Sequence, residues 1–161
     1  MQRTLVVYFS RTGYTRKIAE EIAGRCGADV EAIEDVRARA GIFGYLRSAR
    51  EAYKKRLIEL RPAAKNPSDY DLVILGTPVW ASNVSSPMRA YLTAHRGELK
   101  RVAAFCTQGG SGAEKVLSDM AELCGPKPVA SLALNDGEIK RRGHTEKLDQ
   151  FLGTLALPKA A

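Results

Sequence analysis

At 161 residues, 45% hydrophobic and 27% charged, the chain can bury the core of one domain and is too apolar for intrinsic disorder. Its longest apolar run near the start, Leu5 to Phe9, is five residues; a membrane span needs roughly 18 and a signal-peptide core more than five, so neither is expected. Three scattered cysteines, Cys26, Cys106 and Cys124, form no C-x-x-C pair, which argues against a disulfide framework or a zinc site and for a reduced, cytoplasmic setting.

In chain order, Thr4 to Phe9 is a continuous apolar, β-branched run suited to a strand buried on both faces. Ser10 to Thr15 is turn-rich, after which Ile18, Ala19, Ile22, Ala23 and Cys26 form a helical stripe that Gly27 can end. A weaker strand is expected over Val30 to Ile33. Next, Ile42, Leu46, Ala49, Tyr53, Leu57 and Leu60 recur at spacings of three and four, which predicts an amphipathic helix over 42–60. Pro62 to Ser68 reads as a connector and Leu72 to Leu75 as a second buried strand running into Gly76-Thr77-Pro78. A helix over Ser86 to Ala94 has Pro87 in its first turn. Then come a strand over Val102 to Cys106, a turn at Gly109 to Gly112 and a helix over Ala113 to Leu123 that Gly125-Pro126 stops. A strand over Val129 to Leu134 and a helix over Gly143 to Leu155 complete the set, leaving a domain over 1–156 and a tail at 157–161.

The net charge of +7 is concentrated. Nine basic and two acidic residues lie between Val36 and Lys65, and the rest of the chain is balanced. Three readings are open for this basic helix: a solvated outer face, a docking surface for an acidic partner or anionic cofactor, or a nucleic-acid or membrane contact. No nucleic-acid motif accompanies the charge, so no nucleic-acid partner is expected.

Strict β-α alternation specifies a parallel sheet with helices on both faces, and ligands of such sheets bind beyond the carboxyl ends of the strands. The three informative strand exits are therefore 10–15, 77–83 and 106–112. In the first, Ser10, Thr12 and Thr15 offer hydroxyls around Gly13 at a helix start, where backbone amides and the helix dipole favour an anion such as a phosphate monoester. Ordinary Ser/Thr turn chemistry at a helix start is the competing reading. No G-x-x-x-x-G-K-[ST] occurs, so this is not a Walker loop.

The motif Ser10-x-Thr12-Gly13-x-Thr15 after an apolar strand resembles the phosphate loop of the flavodoxin-like FMN-binding family. Tyr70-Asp71-Leu72-Val73-Ile74-Leu75-Gly76-Thr77-Pro78-Val79-Trp80 is similar to the strand and flavin loop of small bacterial members. The resemblance implies a three-layer α/β fold with a five-stranded parallel sheet in the order 2-1-3-4-5, holding one FMN. It also implies that Ser10, Arg11, Thr12, Gly13, Tyr14 and Thr15 wrap the phosphate. Thr77, Pro78, Val79 and Trp80 would line the isoalloxazine, with Ala81, Ser82 and Asn83 beside it. An aromatic and apolar wall suits a flat ring, although Trp80, the sole tryptophan, could instead anchor a core or an interface.

The third exit, Cys106 to Gly112, departs from the electron-carrier pattern; its residues Cys106, Thr107, Gln108, Gly109 and Gly110 complete the expected cofactor site. It has neither the aromatic residue that covers the second flavin face nor an acid. It therefore reads either as an open face for a substrate or as a tight turn. A C-x5-R phosphatase loop fails because Gly112 stands where Arg is needed, and a dinucleotide fingerprint fails at Lys115. His95 and His144 read as surface residues, and Cys26 and Cys124 as small packing groups. No metal site and no catalytic side chain are expected, since the chemistry of a flavin belongs to its ring.

The functional expectation is an FMN-dependent oxidoreductase passing two electrons between NAD(P)H or another donor and a quinone-like acceptor. The alternatives are a flavodoxin-type electron carrier and a flavin domain that regulates a partner through the basic helix. A small-molecule donor or acceptor, a redox protein partner and a homodimer are all compatible with the sequence.

Overall fold

Alternate residues of the central strands belong to two separate cores, and this sets the architecture. In the computed structural model, which describes residues 2–36, 50 and 58–155, strand β1 (Thr4–Tyr8) sends Leu5 and Val7 to one face and Val6 and Tyr8 to the other. Strand β2 (Asp29–Ala32) follows helix α1 (Tyr14–Cys26). Strand β3 (Leu72–Trp80) repeats the alternation with Val73 and Leu75 against Leu72 and Ile74. Beyond the short β4 (Asn83–Val84) and helix α2 (Ser86–His95), β5 (Val102–Gln108) divides Val102, Ala104 and Cys106 from Ala103 and Phe105. Helix α3 (Ala113–Cys124), strand β6 (Ser131–Asn135), α4 (Asp136–Lys140) and α5 (Thr145–Thr154) complete the described elements. Because both faces are covered, the strands read as unbroken apolar runs rather than as alternating ones.

The sheet order is β2-β1-β3-β5-β6, all parallel, with β4 paired antiparallel to the end of β3. That is the expected 2-1-3-4-5 order with one short hairpin strand added. Helices α2 and α3 cover one face through Met88, Leu92, Val116 and Met120. Helices α1, α4 and α5 cover the other through Ile18, Ile22, Ile139, Leu148 and Phe151. At the centre, a Cβ on Gly76 would lie 2.1 Å from the Phe105 ring, so only glycine lets β3 and that ring pack together.

Several boundaries differ from expectation. Strand β3 continues through Trp80 instead of stopping at Leu75, because Thr77 and Pro78 still pair with β5 and Val79 and Trp80 pair with β4. Pro78 is tolerated there because the pairing of β1 with β3 has already ended at Gly76. Helix α5 begins at Thr145, and the five-residue α4 before it is too short to show a periodic stripe. His144 is buried rather than on the surface, with Nε2 2.8 Å from Glu21 Oε2 on α1, while His95 is partly exposed beside Glu98. The helix expected over 42–60 falls mainly on residues outside the described ones, as does the tail 157–161. Its expected last residue, Leu60, instead forms an antiparallel bridge with Asp35.

Candidate functional site

The three strand exits meet at a cavity of about 410 Å³, within the range usual for small-molecule sites. Its lining comprises Arg11, Thr12 and Tyr14 from the first exit, Pro78 to Ala81 from the second, Thr107, Gly109 and Gly110 from the third, and Asp136. A hollow of about 470 Å³ lies at the sheet edge between β2 and the end of α2 and includes none of the motif residues. Position at the strand exits, not size, singles out the first.

The first loop leaves the start of α1 open. Gly13 occupies the N-cap of α1 at φ 101°, a left-handed conformation that a side chain would strain. Apart from its chain neighbours, nothing lies within 4 Å of where its Cβ would be, so the space above it is open. No side chain caps this helix start and its first turn has no acid, which leaves amide N–H groups and the positive dipole end for a ligand. Ser10 Oγ accepts from the Gly13 N–H at 3.1 Å and fixes the turn. Thr12 is exposed and on the cavity wall, whereas Thr15 is buried with its hydroxyl 2.8 Å from that of Thr107. That buried pair ties the first exit to the third.

The second exit is a two-residue hairpin. Trp80 pairs with Asn83, and the intervening Ala81 and Ser82 both have positive φ, 47° and 57°. This is the handedness a tight hairpin requires, held here without glycine at a cost in backbone energy. What holds it is visible. The Thr77 hydroxyl lies 2.8 Å from Ser85 Oγ, which caps α2, and Asn83 donates to the Ala81 carbonyl and accepts from Lys115 Nζ at 2.9 Å. Gly112, at φ 106°, lets α3 approach so closely that a Cβ there would sit 2.9 Å from Ser82 Cα. Trp80 is 7% exposed, packs edge-on to Phe9 at 5.2 Å, and belongs at once to the core and to the cavity wall. The two readings of this tryptophan are therefore compatible.

Some expected site residues stand behind the wall. Cys106 is fully buried in the core and burial pushes its thiol up to about 12, so it is not a nucleophile. Gln108 turns away and accepts from the Ala113 N–H at the start of α3. Ser10, Gly13, Thr15, Thr77, Ser82 and Asn83 act through the contacts just described and do not form the lining.

Asp136 is the residue that the sequence reading missed. The third exit itself has no acid, but β6 ends beside it, and Asp136 Oδ2 lies 3.6 Å from where a Cβ on Gly109 would be. The only local signal was the capping box that opens α4, in which Asn135 accepts from Gly137 N–H and Glu138 accepts from Asn135 N–H. Burial raises the Asp136 carboxyl above its ordinary range. The loop 106–112 carries no acid, as its sequence says, but Asp136 brings one to the cavity wall from the neighbouring strand exit. Among the described residues no cluster of metal-ligating side chains occurs, and no helix is long and apolar enough to cross a membrane.

Hydroxyls, helix amides and Arg11 at one group of lining residues, with an indole, a proline and a valine at another, fit the phosphate and the ring of the FMN expected from the motifs. The sequence model of the flavodoxin family matches residues 3–152, and the chain belongs to that family. No curated protein matches it. Among solved structures it is similar to a flavoprotein crystallised with FMN from Lactobacillus acidophilus NCFM, at 22% identity and TM-score 0.72, covering 88% of this chain and 98% of that one. It is also similar to an NADH:FMN oxidoreductase in its apo form, at 17% identity and TM-score 0.60, covering 98% and 91%. Oxidised flavodoxin 1 from Bacillus cereus matches at 18% identity and TM-score 0.55, covering 94% and 95%. At these identities the likeness speaks for the fold.

Proposed function

We propose that the cavity binds FMN and that the protein is an oxidoreductase passing two electrons between a donor such as NAD(P)H and a quinone-like acceptor. The observation that carries this reading is the exposed pair Gly109-Gly110, a stretch of cavity wall without side chains, through which a flat reactant can reach the ring. The known FMN complex of one similar protein and the NADH:FMN activity named for another support it. FMN supplies the electron and hydride chemistry when bound. The chain's own contribution is placement. Amides of the first turn of α1, the Thr12 hydroxyl and Arg11 hold the phosphate; Pro78, Val79 and Trp80 bury ring surface; the Thr15–Thr107 pair fixes the two loops relative to each other.

An electron carrier is the second reading, and Asp136 favours it. A carboxylate in the cavity opposes further negative charge on a reduced flavin through Coulomb repulsion. The first test is the visible spectrum of the purified protein with chromatography of any released flavin, followed by titration of apo-protein with FMN and riboflavin. Tighter binding of FMN is expected, and equal affinity removes the phosphate site. Steady-state NAD(P)H oxidation with quinones then separates the readings, because a carrier delivers electrons to a protein partner without such turnover.

A further inference from the structure

Lys115 stands in the first turn of α3, where the helix dipole disfavours a cation, and its ion pair with Asp119 runs in the less favourable direction, the base preceding the acid. Local helix chemistry gives no reason for a lysine here, and its contacts supply another one. The ammonium is held between Asp119 Oδ2 at 2.7 Å and Asn83 Oδ1 at 2.9 Å. Resting on the reading of the cavity as an FMN site, we propose that Lys115 is a positioning residue for the flavin ring. Through Asn83 it holds the wall of the cavity in its binding shape before the cofactor arrives.

The wall needs such a hold. Beyond Pro78, β3 has left β5, and among the described strands Val79 and Trp80 pair only with the two residues of β4. The turn between them sets Ala81 and Ser82 at positive φ, which neither residue favours. Val79, Trp80 and Ala81 line the cavity, so any other shape of this turn moves the wall. Asn83, 6% exposed, donates from Nδ2 to the Ala81 carbonyl at 2.8 Å and so fixes the plane of the 81–82 peptide. A side-chain amide can present either end, and its other partner decides which. An ammonium only donates, so it takes Oδ1 and turns the NH2 group toward the carbonyl. Val116 and Met120 root α3 in the core, and the sequence of contacts from there to Ala81 passes through Lys115.

The experiment follows FMN and riboflavin association with the apo-protein by stopped flow. The Lys115 side chain is 49% exposed, so Lys115→Met leaves the core intact. It should weaken both flavins by the same factor, about tenfold, and the loss should lie in the association rate. A wall that holds its shape for only part of the time lowers the competent fraction without changing the bound complex. Asn83→Ala should reproduce the loss, and the double variant should be within about twofold of either single one, since both act by one route. In Ser82→Gly the second turn position no longer resists the left-handed shape, and there Lys115→Met should lose no more than about twofold. A loss confined to FMN would overturn the proposal by making Lys115 a charge that attracts the phosphate. A loss in the dissociation rate would overturn it by making Lys115 part of the bound contact. Unchanged affinities in Lys115→Met, additive losses with Asn83→Ala, or an equal loss in Ser82→Gly would each show that Lys115 does not act through the turn. If the wild-type protein binds neither flavin, the FMN reading fails and takes this inference with it, an outcome visible before any variant is made.

Discussion

Replacing Thr15 by Ala tests the buried bond that joins the first and third strand exits. Thr15 and Thr107 are each 2% exposed, and their hydroxyl oxygens lie 2.8 Å apart. Removing one hydroxyl takes this hydrogen-bond partner from the other in a place water barely reaches, at a cost of about 1–3 kcal/mol. For a chain of this size each kcal/mol is worth about 2–4 °C in Tm. Thr107→Ala should cost a similar amount by the same reasoning. The double variant, in which no hydroxyl is stranded, should lose less than the two singles together, by at least about 1 kcal/mol. Thermal and urea unfolding of the apo-proteins measure all three. Losses that add to within about 0.5 kcal/mol would mean the two hydroxyls do not depend on each other, and the account of how the loops are joined would be wrong. Thr12→Ala is the contrast. Its exposed hydroxyl should leave stability unchanged and lower affinity for FMN more than for riboflavin.

Three further outcomes concern Trp80, Ser82 and Asp136. FMN binding should quench the fluorescence of Trp80, the sole tryptophan, because its indole lines the cavity; unchanged emission at saturation would place the ring elsewhere. Ser82→Gly should stabilise the hairpin by about 1 kcal/mol, since φ 57° is costly for serine and free for glycine; a lower Tm would refute the strain. Asp136→Asn should raise the stability of the apo-protein near neutral pH. Burial raises this carboxyl above its unfolded value, so the native state holds the proton more tightly and the wild type loses stability as pH rises through the raised range. The advantage of the Asn variant should therefore shrink as the pH falls below the ordinary carboxyl range, and an advantage that persists in acid would point to another cause.

The sequence by itself determined the layers and the turn chemistry of the first strand exit, because each rests on local chemistry, whereas the strand order was legible only through the resemblance of two motifs to a known family. Unbroken runs such as Leu5 to Phe9 can be buried only between two helical layers, and Ser10-x-Thr12-Gly13-x-Thr15 supplies its own turn, hydroxyls and left-handed glycine. What lay beyond it was set by distance along the chain. Thr15 faces Thr107 across 92 residues, His144 is buried by its approach to Glu21, and Trp80 is core and wall together because Phe9 packs beside it. The hairpin at Ala81-Ser82 carried no turn glycine to announce it; Lys115 and the close approach of Gly112 hold it from α3. Asp136 shows the limit most plainly. In the sequence it opens a five-residue helix, and only the pairing of β6 with β5 brings its carboxylate beside Gly109. Parallel sheets gather their sites from strand exits far apart in sequence, so the chemistry of one loop can be read locally while the charge around it cannot.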